Sequence, residues 1–155
     1  MSRRLKQAAV VLVLVFAVAQ LVRPGRANPP IDASRTIQAH AGTASGLVAV
    51  LDRACGQCHS NATVWPWYTN IAPVSWLMAY GVKQGRKAVN YSERAAYPPE
   101  RQRALLVASC QDASSGKMPG SAYTMLYPTT RLSPQDVEKI CGAVHQAEAH
   151  AAHGR

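Results

Sequence analysis

Two cysteines three positions apart, followed directly by a histidine, constrain the fold of this 155-residue chain more than any other feature. They read Cys55-Gly56-Gln57-Cys58-His59, which is the C-x-x-C-H pattern of covalent haem attachment. At this spacing each thiol can form a thioether with one vinyl group of a haem, while the imidazole that follows can bind the iron. The pattern predicts one haem c, held covalently by Cys55 and Cys58, with His59 as the proximal iron ligand.

Three other roles for these cysteines compete with haem attachment. A thioredoxin-like dithiol requires a strand before the motif, but apolar residues precede it at helical spacing. These residues are Leu47, Val50, Leu51, Ala54 and Cys55. A structural zinc site would need four converging ligands, to which Cys110 and Cys141 could contribute. No second paired-ligand cluster supports zinc. A disulfide between Cys55 and Cys58 is the third alternative, and haem is favoured over all three.

The N-terminal segment is apolar and follows a basic start. Arg3, Arg4 and Lys6 precede residues 8–22, in which Gln20 is the only polar side chain. This arrangement predicts an export signal, although the run is shorter than the roughly 20 residues that a membrane span needs. A cleavage site is poorly formed around Pro24, so we expect residues 1–23 to be an uncleaved signal anchor. A cleaved signal peptide and a buried core helix are the alternatives.

This start predicts a protein at the periplasmic face of a bacterial inner membrane, or a soluble periplasmic protein if the segment is removed. Residues 24–44 are rich in proline, glycine, alanine and polar residues, which is typical of a linker. The haem-binding domain is expected over residues 45–148 and a flexible tail over residues 149–155. Much of the net charge of +9 flanks the apolar run, and the other cations are dispersed, so we expect no nucleic-acid partner.

The second axial position of the iron has several candidate ligands. Met118 is favoured, since it lies in Gly116-Lys117-Met118-Pro119-Gly120, where proline and glycine disfavour a helix. Met125 is the second choice. Met78 lies in an apolar stretch where methionine usually fills a core. The remaining histidines lie in the predicted linker or the C-terminal stretch, where solvated side chains are the default: His40, His145, His150 and His153.

No stretch alternates with period two for long, so we expect an all-α fold. It would place cytochrome-c-like helices around one covalently bound haem, after an N-terminal hydrophobic helix. Helices are predicted over residues 47–55, 74–89 and 100–112, and a last one after the N-cap Ser133. Cys110 and Cys141 lie on apolar helix faces and are predicted to form a disulfide, with two free thiols as the alternative. The aromatic residues expected near the porphyrin are Trp65, Trp67, Tyr68 and Trp76.

The chain resembles the bacterial haem-binding domain family, which comprises small monohaem c-type cytochromes with C-x-x-C-H and a G-x-M-P loop. The stretches that carry the resemblance are Cys58-His59-Ser60-Asn61, Trp65-Pro66-Trp67-Tyr68, Ile71-Ala72-Pro73-Val74-Ser75-Trp76-Leu77, Gly85-Arg86, Asn90-Tyr91-Ser92 and Gly116-Lys117-Met118-Pro119. The resemblance covers residues 47–144 and implies Met118 as the distal iron ligand. The sequence departs from the family pattern at Tyr127-Pro128, where a histidine usually precedes the proline.

These observations predict an electron carrier and no enzyme. A methionine opposite His59 saturates the iron, which favours electron transfer over ligand chemistry. The partners would be membrane-associated or periplasmic redox proteins, which the sequence does not identify. The alternative is a haem peroxidase-like enzyme or a haem-based sensor whose sixth ligand is labile.

Overall fold

A computed structural model describes residues 2–40 and 45–153. These residues form helices joined by loops, without any β-strand. The α-helices are α1 Arg3–Ala19, α2 Ile37–His40, α3 Ser45–Ala54, α4 Gly56–His59, α5 Val74–Ala88, α6 Pro99–Ser114, α7 Ser121–Leu126 and α8 Pro134–His153. Short 3-10 helices lie at Ala33–Arg35, Trp67–Asn70, Tyr91–Ala96 and Pro128–Thr130. The predicted all-α class is confirmed for the described residues.

The core lies where α8 packs against α6 and α3. The apolar face predicted for α3 is buried, with Val50 and Leu51 only 3% and 1% exposed. Ile140 of α8 meets this face and is 1% exposed. Since α3 runs directly into the C-x-x-C-H motif, the burial of its apolar face also fixes where the motif begins.

A disulfide joins α6 to α8. Cys110 and Cys141, the predicted pair, form this bond, and their Cα atoms are 4.9 Å apart. Both residues lie on the sides of α6 and α8 that face each other, so the bond crosses the most extensive helix contact in the fold. A cross-link of this kind stabilises the folded chain mainly by restricting the unfolded one.

Residues 24–40 belong to the segment that was predicted to be a linker, residues 24–44. In the structure they pack on the domain. Asn28 donates to the carbonyl of Thr63 at 2.7 Å, and the side chain of Asn61 donates to the carbonyl of Pro30 at 3.2 Å. Ile37 is 1% exposed and belongs to the core. The composition of this segment predicted its loops, but the hydrogen-bond partners of its polar groups lie in distant parts of the chain. The packed unit therefore begins well before the predicted boundary at residue 45.

Helices α1 and α8 lie at the two ends of the part of the chain that the structure describes. Helix α1 contains no buried residue, which rules out the alternative of a core helix. None of the helices in the described ranges is long and apolar enough to cross a membrane. At the other end, α8 continues to His153, through most of the predicted flexible tail.

Candidate haem-attachment site

One helical turn presents all three residues of the motif. The amide of Cys55 bonds to the carbonyl of Leu51 at 2.9 Å, so the hydrogen bonding of α3 extends to the first residue of the motif. The amides of Cys58 and His59 then bond to the carbonyl of Cys55 at 3.1 and 3.0 Å. Both cysteines are free and half-buried. Cys55 at the N-cap of α4, together with Cys58 and His59 within it, thus presents two thiols and one imidazole on one turn.

The imidazole of His59 is oriented by the backbone at the end of α5. Its Nδ1 lies 3.2 Å from the carbonyl oxygen of Val89. Because a carbonyl only accepts hydrogen bonds, Nδ1 carries the proton and Nε2 keeps its lone pair for a metal. Burial lowers the pKa of His59, with an opposing contribution from the carbonyl of Val89. The neutral imidazole, which is the form that binds iron, is therefore favoured.

Helix α5 approaches the motif very closely at Gly85. A Cβ atom built on Gly85 would lie 2.4 Å from the carbonyl oxygen of Cys58. Side chains do not reach such distances, so only glycine allows α5 and α4 to pack this way. Gly85 is one of the residues that carry the family resemblance, but the sequence alone does not indicate which backbone it contacts.

Arg86 is a further residue whose role the sequence did not reveal. Its guanidinium donates to the carbonyl of Ser60 at 2.8 Å and to the hydroxyl of Thr63 at 2.9 Å, on the loop after the motif. It also donates to the carbonyl of Ala27 at 3.1 Å and to the side-chain oxygen of Asn28 at 2.7 Å. Arg86 therefore ties α5, the loop after the motif and residues 24–30 together. We call residues 24–30 the strap.

A buried polar network supports the same loop. The side chain of Asn90 donates to Asn61 at 2.8 Å, and the amide of Asn61 donates to the hydroxyl of Ser92 at 3.0 Å. All three residues are buried. Since buried polar groups are costly unless satisfied, this network fixes the chain leaving His59 in one conformation.

The thiols of Cys55 and Cys58 are partly buried, and this burial raises the pKa of both. For Cys55 the burial raises the pKa to about 11. A redox-active dithiol needs a lowered thiol pKa, and a helix, not a strand, precedes this motif. A four-cysteine zinc site is also ruled out, because Cys110 and Cys141 are bonded to each other. The redox dithiol and the four-cysteine zinc site therefore lose their support.

The sequence profile of the haem-binding domain family matches residues 14–146. The chain belongs to this family. The resemblance noted from the sequence is confirmed, and haem is the cofactor that the family indicates. No curated protein and no solved structure matches the chain.

The donor set of this haem-binding domain suits a haem. Two unbonded thiols and one imidazole with a free Nε2 lie on one turn, and several large apolar side chains elsewhere are exposed. The exposed side chains include Leu77, Met118, Met125 and Leu126.

The two predicted methionine ligands lie on consecutive segments of the chain and are among these exposed side chains. Met118 follows α6, is 46% exposed, and donates its amide to the carbonyl of Asp112 at 3.0 Å. The charge of Asp112 in turn opposes, as the smallest of the contributions, the lowering of the His59 pKa by burial. Met125 lies in α7 and is 75% exposed. Neither sulfur has a described contact with His59, so the choice of distal ligand stays a prediction.

The other candidate ligands and aromatic residues lie elsewhere. Met78 is half-buried in α5, and His145 is exposed in α8. The side chains of His40, His150 and His153 lie outside those described. Trp65 and Trp76 donate to Asn28 and to the carbonyl of Val22, so they hold the N-terminal segment. Tyr68 hydrogen-bonds to Tyr127, and Trp67 is 74% exposed.

Proposed function

We propose that this protein is a monohaem c-type cytochrome that carries electrons between membrane-associated or periplasmic redox proteins. The observation that carries the proposal is the single turn formed by Cys55 and α4. It presents two free thiols and an imidazole whose Nδ1 is engaged by a backbone carbonyl. A structural metal site or a redox dithiol would not need this combination.

Each residue of the site has a separate role in this proposal. Cys55 and Cys58 hold the haem through thioether bonds, and His59 binds the iron through Nε2. The haem supplies one-electron redox chemistry when bound. The carbonyl of Val89 fixes the imidazole plane, and Gly85 allows α5 to support the turn from behind.

We assign Met118 as the distal ligand and keep Met125 as the second choice. The loop that carries Met118 is anchored at its base by its own amide and by the ion pair of Lys117 with Asp112 at 3.1 Å. A methionine opposite histidine raises the reduction potential and leaves no open position on the iron. This ligand pair suits an electron carrier better than a peroxidase-like enzyme or a ligand-binding sensor.

We also propose that α1 attaches the protein to the periplasmic face of the inner membrane. Its apolar side chains are exposed, and Arg3, Arg4 and Lys6 precede them. The disulfide between Cys110 and Cys141 is consistent with an oxidising compartment, which is also where haem c proteins are matured.

The test is an optical spectrum of the full chain produced together with the cytochrome c maturation machinery. The reduced protein is expected to show a c-type spectrum that survives denaturation, because the haem is covalent. The oxidised protein should show the weak sulfur-to-iron band at the red edge of the visible range, and carbon monoxide should not change the reduced spectrum.

Met118→Ala and Met125→Ala form a matched pair for this test. Met118→Ala is expected to abolish the sulfur-to-iron band and to let the reduced iron bind carbon monoxide. Met125→Ala is expected to keep the band and to remain unreactive towards carbon monoxide. The reverse result would make Met125 the ligand. A wild-type protein that binds carbon monoxide readily would favour the enzyme or the sensor, and a protein without covalent haem would refute the proposal.

A further inference from the structure

Helix α5 has an aromatic and basic side that faces away from the motif. Trp76, Tyr80 and Lys83 are exposed and spaced at helical intervals; we call them the α5 stripe. Trp76 and Gly85 are nine residues apart, which places them on opposite sides of the helix, about 180° from each other. Because Gly85 contacts Cys58, the stripe lies on the side of α5 that the haem-attachment turn does not use.

The apolar helix α1 ends directly beside this stripe. The indole of Trp76 donates to the carbonyl of Val22 at 2.8 Å, and the amide of Ala72 donates to the side chain of Gln20 at 2.9 Å. Leu21 and Val22 themselves remain 80% and 63% exposed. The end of α1 is therefore fixed to the domain by hydrogen bonds on both sides of the α5 N-terminus.

A basic, aromatic groove lies between the stripe and the strap. It encloses about 580 Å³, and its walls include Pro24, Trp65, Trp76, Tyr80, Lys83 and Arg86. None of the described residues that line it is acidic. Arg23 is exposed at the point where α1 passes into the strap. Positive charge and tryptophan or tyrosine side chains next to an apolar helix are the combination found at membrane interfaces.

We propose that the α5 stripe and its groove contact the headgroups of anionic phospholipids. The proposal rests on the membrane attachment of α1 and adds a second contact to it. With both contacts made, the bilayer holds the domain in one orientation. The haem-attachment turn, on the other side of α5, then faces the aqueous phase, where redox partners can reach it.

The experiment uses the full holoprotein in vesicles of phosphatidylcholine with phosphatidylglycerol. A phospholipid with a photoactivatable diazirine near its headgroup labels the protein, and mass spectrometry locates the labels. We expect labels on α1 and on the peptide that contains Trp76 and Tyr80. In the double variant Tyr80→Ser, Lys83→Glu the label on that peptide should fall at least about fivefold, while the label on α1 stays.

Lys139→Glu provides the matched charge reversal, since Lys139 is exposed on α8 beside Gly46 and belongs neither to the stripe nor to the lining of the groove. It is expected to leave both labels unchanged. Labelling of α1 without labelling of the stripe would overturn the second contact and leave membrane attachment intact. Absence of label on α1 as well would overturn both. Equal labelling of the stripe in vesicles of phosphatidylcholine alone would overturn the preference for anionic lipid.

Discussion

Single residues decide how closely the elements around the motif can approach. Gly85 has no side chain, so the carbonyl of Cys58 occupies the space that a Cβ would need. The Val89 carbonyl, one turn later, is then at the right distance to orient His59. One missing side chain on α5 thus affects both the position of the Cys58 backbone and the direction of the imidazole.

Gly85→Ala is expected to destabilise the protein and to reduce covalent haem incorporation. The new methyl group would overlap the backbone of Cys58, and relieving such overlap costs about 1–3 kcal/mol. Denaturant unfolding gives the free energy of unfolding, and haem staining of equal amounts of protein gives the incorporation.

Gly142→Ala is the matched control for this prediction. Gly142 also lies in a helix, but a Cβ built there meets nothing within 4 Å. Since alanine favours a helix over glycine by up to about 1 kcal/mol, this variant should be neutral or stabilising. Equal effects of the two substitutions would show that the contact with Cys58 does not matter.

At the scale of elements, the start of α8 is held by a reciprocal cap. The hydroxyl of Ser133 accepts the amide of Asp136 at 3.2 Å, and the carboxylate of Asp136 accepts the amide of Ser133 at 2.9 Å. Arg53 of α3 donates to the same carboxylate at 2.7 Å. The cap of α8 is therefore also a link to the helix that carries the motif.

These bonds predict a pH-dependent contribution to stability. The backbone amide of Ser133 lowers the pKa of Asp136 below its usual 3.8, and the Ser133 hydroxyl and Arg53 act in the same direction. A lowered pKa in the folded state means that the contribution is complete above pH 3.8 and disappears as the pH falls through the folded-state pKa. Asp136→Asn should therefore cost about 1 kcal/mol at neutral pH, and this cost should shrink as the pH falls through the folded-state pKa of Asp136.

Chemical unfolding of both proteins across this pH range measures the difference. Glu138→Gln, which changes an exposed carboxyl of the same helix, should alter the free energy of unfolding by less than about 0.5 kcal/mol. A constant difference between wild type and Asp136→Asn at every pH would mean that the charge on Asp136 contributes nothing.

At the scale of the whole molecule, Arg86 connects segments that are far apart in sequence. It holds the strap, the loop after the motif and α5 with one guanidinium. The strap follows residues 20–22, whose own hydrogen bonds fix the end of α1 to the domain. A side chain in the middle of the chain therefore holds the segment that comes directly after this N-terminal anchorage.

Arg86→Gln is expected to release the strap and to lower the stability of the domain. Hydrogen bonds from a charged group are worth about 1.5–3 kcal/mol, and a shorter neutral side chain cannot replace this set. Trypsin cleavage after Arg26, followed by mass spectrometry, should become faster by at least about tenfold, because local opening becomes easier.

Lys87→Gln removes an exposed cation from the next position and should leave the cleavage rate unchanged. If the strap of Arg86→Gln is cleaved as slowly as that of the wild type, the hydrogen bonds of Arg86 are not what holds it.

Much of this organisation could be predicted from local patterns. The apolar spacing of α3, the proline and serine at the start of α8, and the two cysteines on apolar helix faces all depend on residues close together in the chain. The helix boundaries of α5 and α6 agree with the prediction to within one or two residues. The short helix α7 was not predicted, since six residues give too little periodicity to recognise.

By itself, the sequence determined the class of the fold and the family to which the chain belongs. The C-x-x-C-H spacing predicts two thioether positions and one axial ligand from five consecutive residues, and helical periodicity is also a local property. Only the tertiary structure decided that Val89 orients His59, that Gly85 admits Cys58, and that Arg86 binds a strap predicted as a free linker. These contacts join residues about 25 to 60 positions apart, and such pairings depend on how helices pack, which no local pattern records.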